Sequence, residues 1–161
     1  MGYDLQAAIG GEALRAAARD LPAARLAPIG QGLSLLPMTE ALLDSVADGD
    51  GDGDGGDDGV LGFWRLSDRF AKTLADWSTA GPVAYVEAEY FGGVGEQTAV
   101  VWDGGTLTLG SLHEPENTPS PPAGSPISQA LRRLGAVAAG GEDEFTAVEL
   151  GRHRSIEGWL T

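Results

Sequence analysis

The strongest β-type patterning in the chain lies between Val83 and Gly110. Residues with β-branched and aromatic side chains fill three runs there, Val83–Phe91, Glu96–Trp102 and Thr106–Gly110, separated by Gly92-Gly93-Val94-Gly95 and by Asp103-Gly104-Gly105. Runs of that composition divided by glycine pairs predict a three-stranded meander. The period changes to that of a helix on either side. Phe70, Leu74 and Trp77 stand at i, i+4 and i+7 behind Ser67, a good N-cap, and predict an amphipathic helix ending near Gly81. Ser125-Pro126 opens a second helix with Ile127, Leu131 and Leu134 as its apolar stripe and Gly135 past its end.

The N-terminal third gives weaker signals of the same kinds. Tyr3–Ile9 reads as a strand, Glu12–Arg19 as an alanine-rich helix, and Arg25–Ile29 and Leu33–Leu36 as extended segments. Thr39 is placed to cap a further helix carrying Leu42, Leu43 and Val46. From Gly141 to Thr161 no period holds, but Phe145, Val148, Leu150, Ile156 and Trp159 predict a tail that packs back onto the domain. The expected fold class is α+β: a mostly antiparallel sheet, with the meander at about 83–110, covered by several short helices.

Two low-complexity runs interrupt this pattern. Residues 48–59 are nothing but Asp and Gly, with no apolar surface to bury, and predict a flexible loop. Its Asp-x-Asp-x-Asp-Gly start has the alternate carboxylates of a calcium loop, but the acid required at the twelfth position is Gly59, so no metal site is expected. Residues 114–125 carry Pro115, Pro119, Pro121 and Pro122 and predict a second, extended loop. With both set aside, the 161 residues suit one domain spanning 1–161.

Charge narrows the choice of partner. The net charge is −14, and −8 remains without the six acids of the Asp/Gly run. Such a field repels phosphates and anionic lipid, and the only basic pairs are Arg132 with Arg133 and Arg152 with Arg154. Neither nucleic acid nor membrane is expected as a partner; a basic protein fits the charge. No cysteine is present, which removes thiolate nucleophiles and Cys-based metal sites and is compatible with a reducing cytoplasm. The start Met1-Gly2-Tyr3-Asp4-Leu5 has no basic or apolar leader character, and no apolar run approaches membrane length. Nine of ten basic residues are Arg, a bias expected of a GC-rich bacterial genome.

Candidate chemistry concentrates on the first hairpin of the meander. Strand alternation puts Tyr85, Glu87, Glu89 and Phe91 on one face and Ala84, Val86, Ala88 and Tyr90 on the other. Glu87 and Glu89, with Glu96 across the turn, form the candidate carboxylate set for acid/base work, for metal binding or for holding an arginine. The alternative is a solvated strand face. Arg152-His153-Arg154 could supply a base (His153) or a binding surface (Arg152, Arg154) if the tail reaches the hairpin. The glycines at 92–95 lack the Lys and Ser/Thr of a phosphate loop and join strand to strand, so a hairpin turn is expected there. No Gly-x-Ser-x-Gly elbow occurs, His113 lies at the edge of the proline-rich run, and no cofactor motif is found.

The stretch Ala84–Trp102, the segment Ile127–Gly135, and Asp143-Glu144-Phe145 with Leu150-Gly151-Arg152-His153-Arg154 and Trp159 together resemble a small bacterial family of uncharacterised proteins. The resemblance implies no activity and no site residue. Two functional classes stay open: a non-enzymatic protein-binding module, immunity-like or a regulatory inhibitor, and a small carboxylate-based or metal-dependent hydrolase using Glu87, Glu89 and Glu96. A homodimer formed through a sheet edge is compatible with either.

Overall fold

The structure is a computed structural model and describes residues 2–45, 66, 68–91, 94–114, 124–138, 140 and 143–160. Its centre is an antiparallel sheet of six strands: β1 (Gly2–Gly10), β2 (Ala27–Pro28), β3 (Ser34–Pro37), β4 (Val83–Phe91), β5 (Val94–Asp103) and β6 (Thr106–Glu114). They lie in the order β2-β3-β1-β4-β5-β6. The meander β4-β5-β6 is therefore extended by the N-terminal strand, which pairs with β4 along its whole length, Gly2 opposite Phe91 and Gly10 opposite Val83. This is an α+β fold, as the patterning predicts.

Both faces of the sheet are covered. On one, Ala8, Leu36, Tyr85, Val83, Val100 and Trp102 pack under helices α1 (Glu12–Ala18), α2 (Glu40–Ser45) and α3 (Asp68–Trp77), which contribute Leu14, Leu42, Phe70 and Leu74. On the other, Leu5, Ala7, Ile9, Val86, Ala88, Ala99 and Val101 pack under α4 (Pro126–Arg133), α5 (Glu144–Ala147) and the tail. Burial on two sides explains why Leu5–Ile9 and Val83–Ala88 read as nearly continuous apolar runs. Each fully buried Leu, Ile or Phe contributes roughly 1.5–3 kcal/mol to the fold.

The expected caps form. Thr39 Oγ1 accepts from the Leu42 amide at 3.1 Å, and Ser125 Oγ accepts from the Ser128 amide at 3.2 Å. Gly104 and Gly105, at φ of +66° and +84°, make the tight turn between β5 and β6 that only a paired left-handed conformation allows. The Gly105 amide donates to Ser78 Oγ at 2.9 Å, which ties that turn to the end of α3. Along the tail, α5 is followed by 3-10 turns at Leu150–Arg152 and Ile156–Leu160, and Val148, Leu150 and Trp159 are buried in the second cluster. Short turns of this kind carry no helical period, so the sequence shows none there.

Several boundaries differ from expectation, and the extended segment expected at Arg25–Ile29 forms a strand only at Ala27–Pro28. β6 runs on to Glu114 rather than stopping at Gly110, because Gly110 sits at an irregularity: Ala99 pairs with Leu112 but Val101 pairs with Leu109, so one β5 residue faces two of β6. β5 begins at Val94, which pairs with Phe91, and Gly95 belongs to the strand instead of the turn. The proline-rich segment correspondingly loses Glu114 to β6. The Asp/Gly run 48–59, Val46, Ser67 and residues 115–123 lie outside the described residues. No helix among the described residues is long and apolar enough to cross a membrane.

An ion pair joins α4 to α5. Arg132 donates to Glu144 through Nε at 3.1 Å and through its second terminal nitrogen at 3.3 Å, and this hydrogen bonding holds the Glu144 carboxyl below its ordinary value of 4.5. A depressed folded-state value means the contribution is present above the ordinary glutamate range and disappears as pH falls through the folded value. Urea unfolding of Glu144→Gln should accordingly show a deficit against the wild-type protein at pH 7 that narrows steadily below pH ~4.5.

Candidate functional site

Length mismatch between sheet and helices creates the site. The first six residues of β4 are buried and its last three, Glu89, Tyr90 and Phe91, are not, so the β4–β5 hairpin projects past the helices that cover its base. On the α1–α3 side of the sheet the side chains change character step by step towards the tip. Buried Tyr85 and Val100 give way to Glu87 opposite Thr98, then to Glu89 opposite Glu96, and last to Phe91 opposite Val94. Phe91 is 77% exposed and Val94 43%. β1 continues the same rows, with Gln6 opposite Glu87 and Asp4 opposite Glu89. The outcome is one polar plate with Asp4, Glu89 and Glu96 side by side across three strands.

The plate is partly tied down. Tyr85 donates from its hydroxyl to Glu87 Oε2 at 2.9 Å, a buried bond that anchors the innermost carboxylate. At the β6 side His113 Nε2 meets Glu96 Oε1 at 2.8 Å. Gln6 donates from Nε2 to Asp4 Oδ1 at 2.7 Å, while its own oxygen is buried and has no donor. Among the described residues no lysine or arginine pairs with Asp4, Glu89 or Glu96. Between these side chains lies a depression of about 50 Å³ lined by Gln6, Glu87, Glu89, Glu96, Thr98 and His113. Tyr85→Phe should cost about 1–3 kcal/mol in denaturant unfolding, because it takes a donor from a buried carboxylate.

Of the sequence candidates, Glu87, Glu89 and Glu96 share this face, and the tail does not join them. Arg152 donates to the Pro28 carbonyl and to Glu149, and its guanidinium carbon lies 5.3 Å from the centre of the Trp159 ring. His153 packs edge-on against Trp159 at 4.7 Å, on the opposite side of the sheet. Arg154 touches the sheet through its backbone carbonyl, which accepts from the Asp4 amide at 2.9 Å, and the residue lines a cleft on that opposite side. The imidazole at the acidic plate is that of His113. Sequence reasoning also passed over Asp4, Gln6 and Thr98, which reach the plate only through strand pairing.

The cleft on the far side is larger, about 470 Å³, with Tyr3, Tyr90, Phe145, Ile127, Glu114 and Arg154 in its walls. Its principal polar groups are committed to the fold. Tyr3 donates to the Leu150 carbonyl at 2.9 Å, Gln97 donates to the Tyr90 hydroxyl at 2.9 Å, and Gln97 Oε1 accepts from the Ile127 amide at 2.8 Å. Burial pushes both phenols up, for Tyr90 against an opposing effect of the Gln97 bond. They stay protonated at neutral pH and serve as hydrogen-bonding struts.

Comparison with known proteins adds no function: no family model, no curated protein and no solved structure matches the chain. Nothing in that result bears on the resemblance to a small bacterial family.

Proposed function

We propose that this chain is a non-enzymatic protein-binding module, immunity-like or a regulatory inhibitor, which holds a basic partner on the outer face of the β4–β5 hairpin. The observation that carries the proposal is the row Asp4, Glu89, Glu96: three carboxylates at directly opposed positions that, among the described residues, no lysine or arginine side chain pairs with. Like charges facing one another across strands destabilise a sheet, and a cationic partner relieves that repulsion. Phe91 and Val94 at the tip supply apolar contact next to the charges, the combination that gives an interface both adhesion and selectivity. The net charge of −14 steers such a partner inward over long distances.

A carboxylate-based hydrolase is the second reading, favoured by the Tyr85–Glu87 and Glu96–His113 bonds. Size opposes it. Substrate pockets usually run to several hundred Å³, whereas the depression here is about 50 Å³. A cysteine-free chain is consistent with work in a reducing cytoplasm.

Capture on the immobilised full chain tests the proposal. A basic protein should be retained at low salt, released as salt rises, and lost from a Glu89→Lys matrix. Retention indifferent to salt and to that substitution would reject it. Hydrolysis that depends on manganese and vanishes in Glu87→Gln would promote the second reading instead.

A further inference from the structure

A buried acceptor without a donor marks where the partner's charge enters. Gln6 is 4% exposed and lines the depression on the acidic plate. Its amide orientation is fixed by Asp4: Nε2 donates to Asp4 Oδ1 at 2.7 Å, and the reversed amide would set oxygen against carboxylate. Oε1 is buried with no partner, so a donor reaches it only as the side chains lining the depression part to admit one. An acceptor buried in that way is left desolvated without compensation, so a donor that reaches it recovers free energy.

The rest of the lining points to the same ligand. Glu89 and Glu96 bring only acceptor atoms, and Glu96 gives one of its oxygens to His113. A group that meets Gln6 Oε1, Glu89 and Glu96 together must therefore be rich in donors and positively charged. Among the described residues no three acidic or histidine side chains converge as they would around a metal ion. The acceptors belong to side chains on three neighbouring strands, Gln6 on β1, Glu89 on β4 and Glu96 on β5, whereas the three N–H bonds of an ammonium diverge from one nitrogen. A guanidinium spreads five N–H donors over a plane and matches such spacing.

We propose that the depression is an anchor site for one arginine side chain of the partner protein, with Gln6 Oε1, Glu89 and Glu96 as its acceptors. The inference rests on the protein-binding reading given above and names the residue type that this face selects. Arginine is preferred over lysine here because of geometry, since both carry the same charge.

Labelled full-length protein is titrated with Nα-acetyl-arginine methylamide and with Nα-acetyl-lysine methylamide, and the Gln6 side-chain amide resonances are followed. The arginine compound should shift them saturably, with the lysine compound at least tenfold weaker. Gln6→Leu, and Gln6→Met as a closer isostere, should weaken arginine binding at least tenfold while the thermal midpoint stays level or rises, since the unpaired acceptor is gone. Equal response to both compounds, no response, or undiminished binding by the two variants would overturn the assignment. Loss of partner capture in Glu89→Lys without any arginine response would sink the anchor alone and leave the protein-binding reading standing. Arginine binding with partner capture unaffected by Glu89→Lys would do the reverse.

Discussion

Replacing Glu89 with lysine is expected to weaken partner binding by about 100-fold or more while making the isolated protein slightly more stable. Binding falls because the substitution turns the middle of the row Asp4, Glu89, Glu96 from an attractive charge into a repulsive one. Removing one member of a close interfacial charge pair commonly costs 2–5 kcal/mol, and ~2.7 kcal/mol is already a factor of 100. Stability moves the other way. The new ammonium is flanked by Asp4 on β1 and Glu96 on β5, so two repulsive cross-strand pairs become attractive ones, each contributing roughly 0.2–1 kcal/mol. A thermal midpoint higher by about 1–8 °C follows for a chain of this size. The opposed signs separate loss of the interface from loss of the fold, and a Glu89→Lys protein that melts earlier would count against the unrelieved row.

Gly95→Ala is expected to cost the fold about 3 kcal/mol or more. Gly95 lies opposite Tyr90, and a methyl group there would overlap the Glu89 carbonyl oxygen and come within 2.5 Å of Tyr90 Cα and 2.7 Å of Tyr90 Cγ. Two of those three neighbours are main-chain atoms of the paired strand and have no rotamer by which to give way. Overpacking commonly costs ~1–3 kcal/mol, and a clash with backbone lies at or above the top of that range. Three kcal/mol is roughly 6–12 °C of thermal midpoint. Because the clash would fall on the strand that carries Glu89, partner binding should fall with stability in Gly95→Ala, in contrast to Glu89→Lys. Melting of Gly95→Ala within ~2 °C of the wild-type protein would show that the strands are not held at this separation.

Much of the architecture is legible from local pattern. The alternation Tyr85, Glu87, Glu89, Phe91 assigns the acids to one face without any structure, and Ser125-Pro126 with Ile127 and Leu131 fixes α4. What local pattern lacks is partner information. Asp4 and Gln6 look like ordinary polar positions of a strand until β1 is paired with β4, a contact more than 80 residues away in sequence. His113 is hidden for a different reason. β6 runs on past Gly110, where its local pattern fades, and its two register shifts against β5, at Val101/Trp102 and at Ala99/Val101, cancel in phase, so that His113 falls opposite Thr98 on the side of Glu96. The tail residues Arg152 and His153 form a cation and imidazole pair attractive for chemistry in one dimension, yet in three they pack on Trp159, across the sheet from the carboxylates.

These placements make the account testable at the level of surface. The most direct measurement is a hydrogen-exchange footprint of the full chain with and without its captured partner. Protection should gather on β1 around Asp4 and Gln6 and on the β4–β5 hairpin from Glu87 to Thr98, with the segment around Arg152, His153 and Trp159 unchanged. Protection confined to that tail or to the walls of the Tyr3–Tyr90 cleft, with the hairpin unaffected, would contradict the assignment of binding to the acidic face.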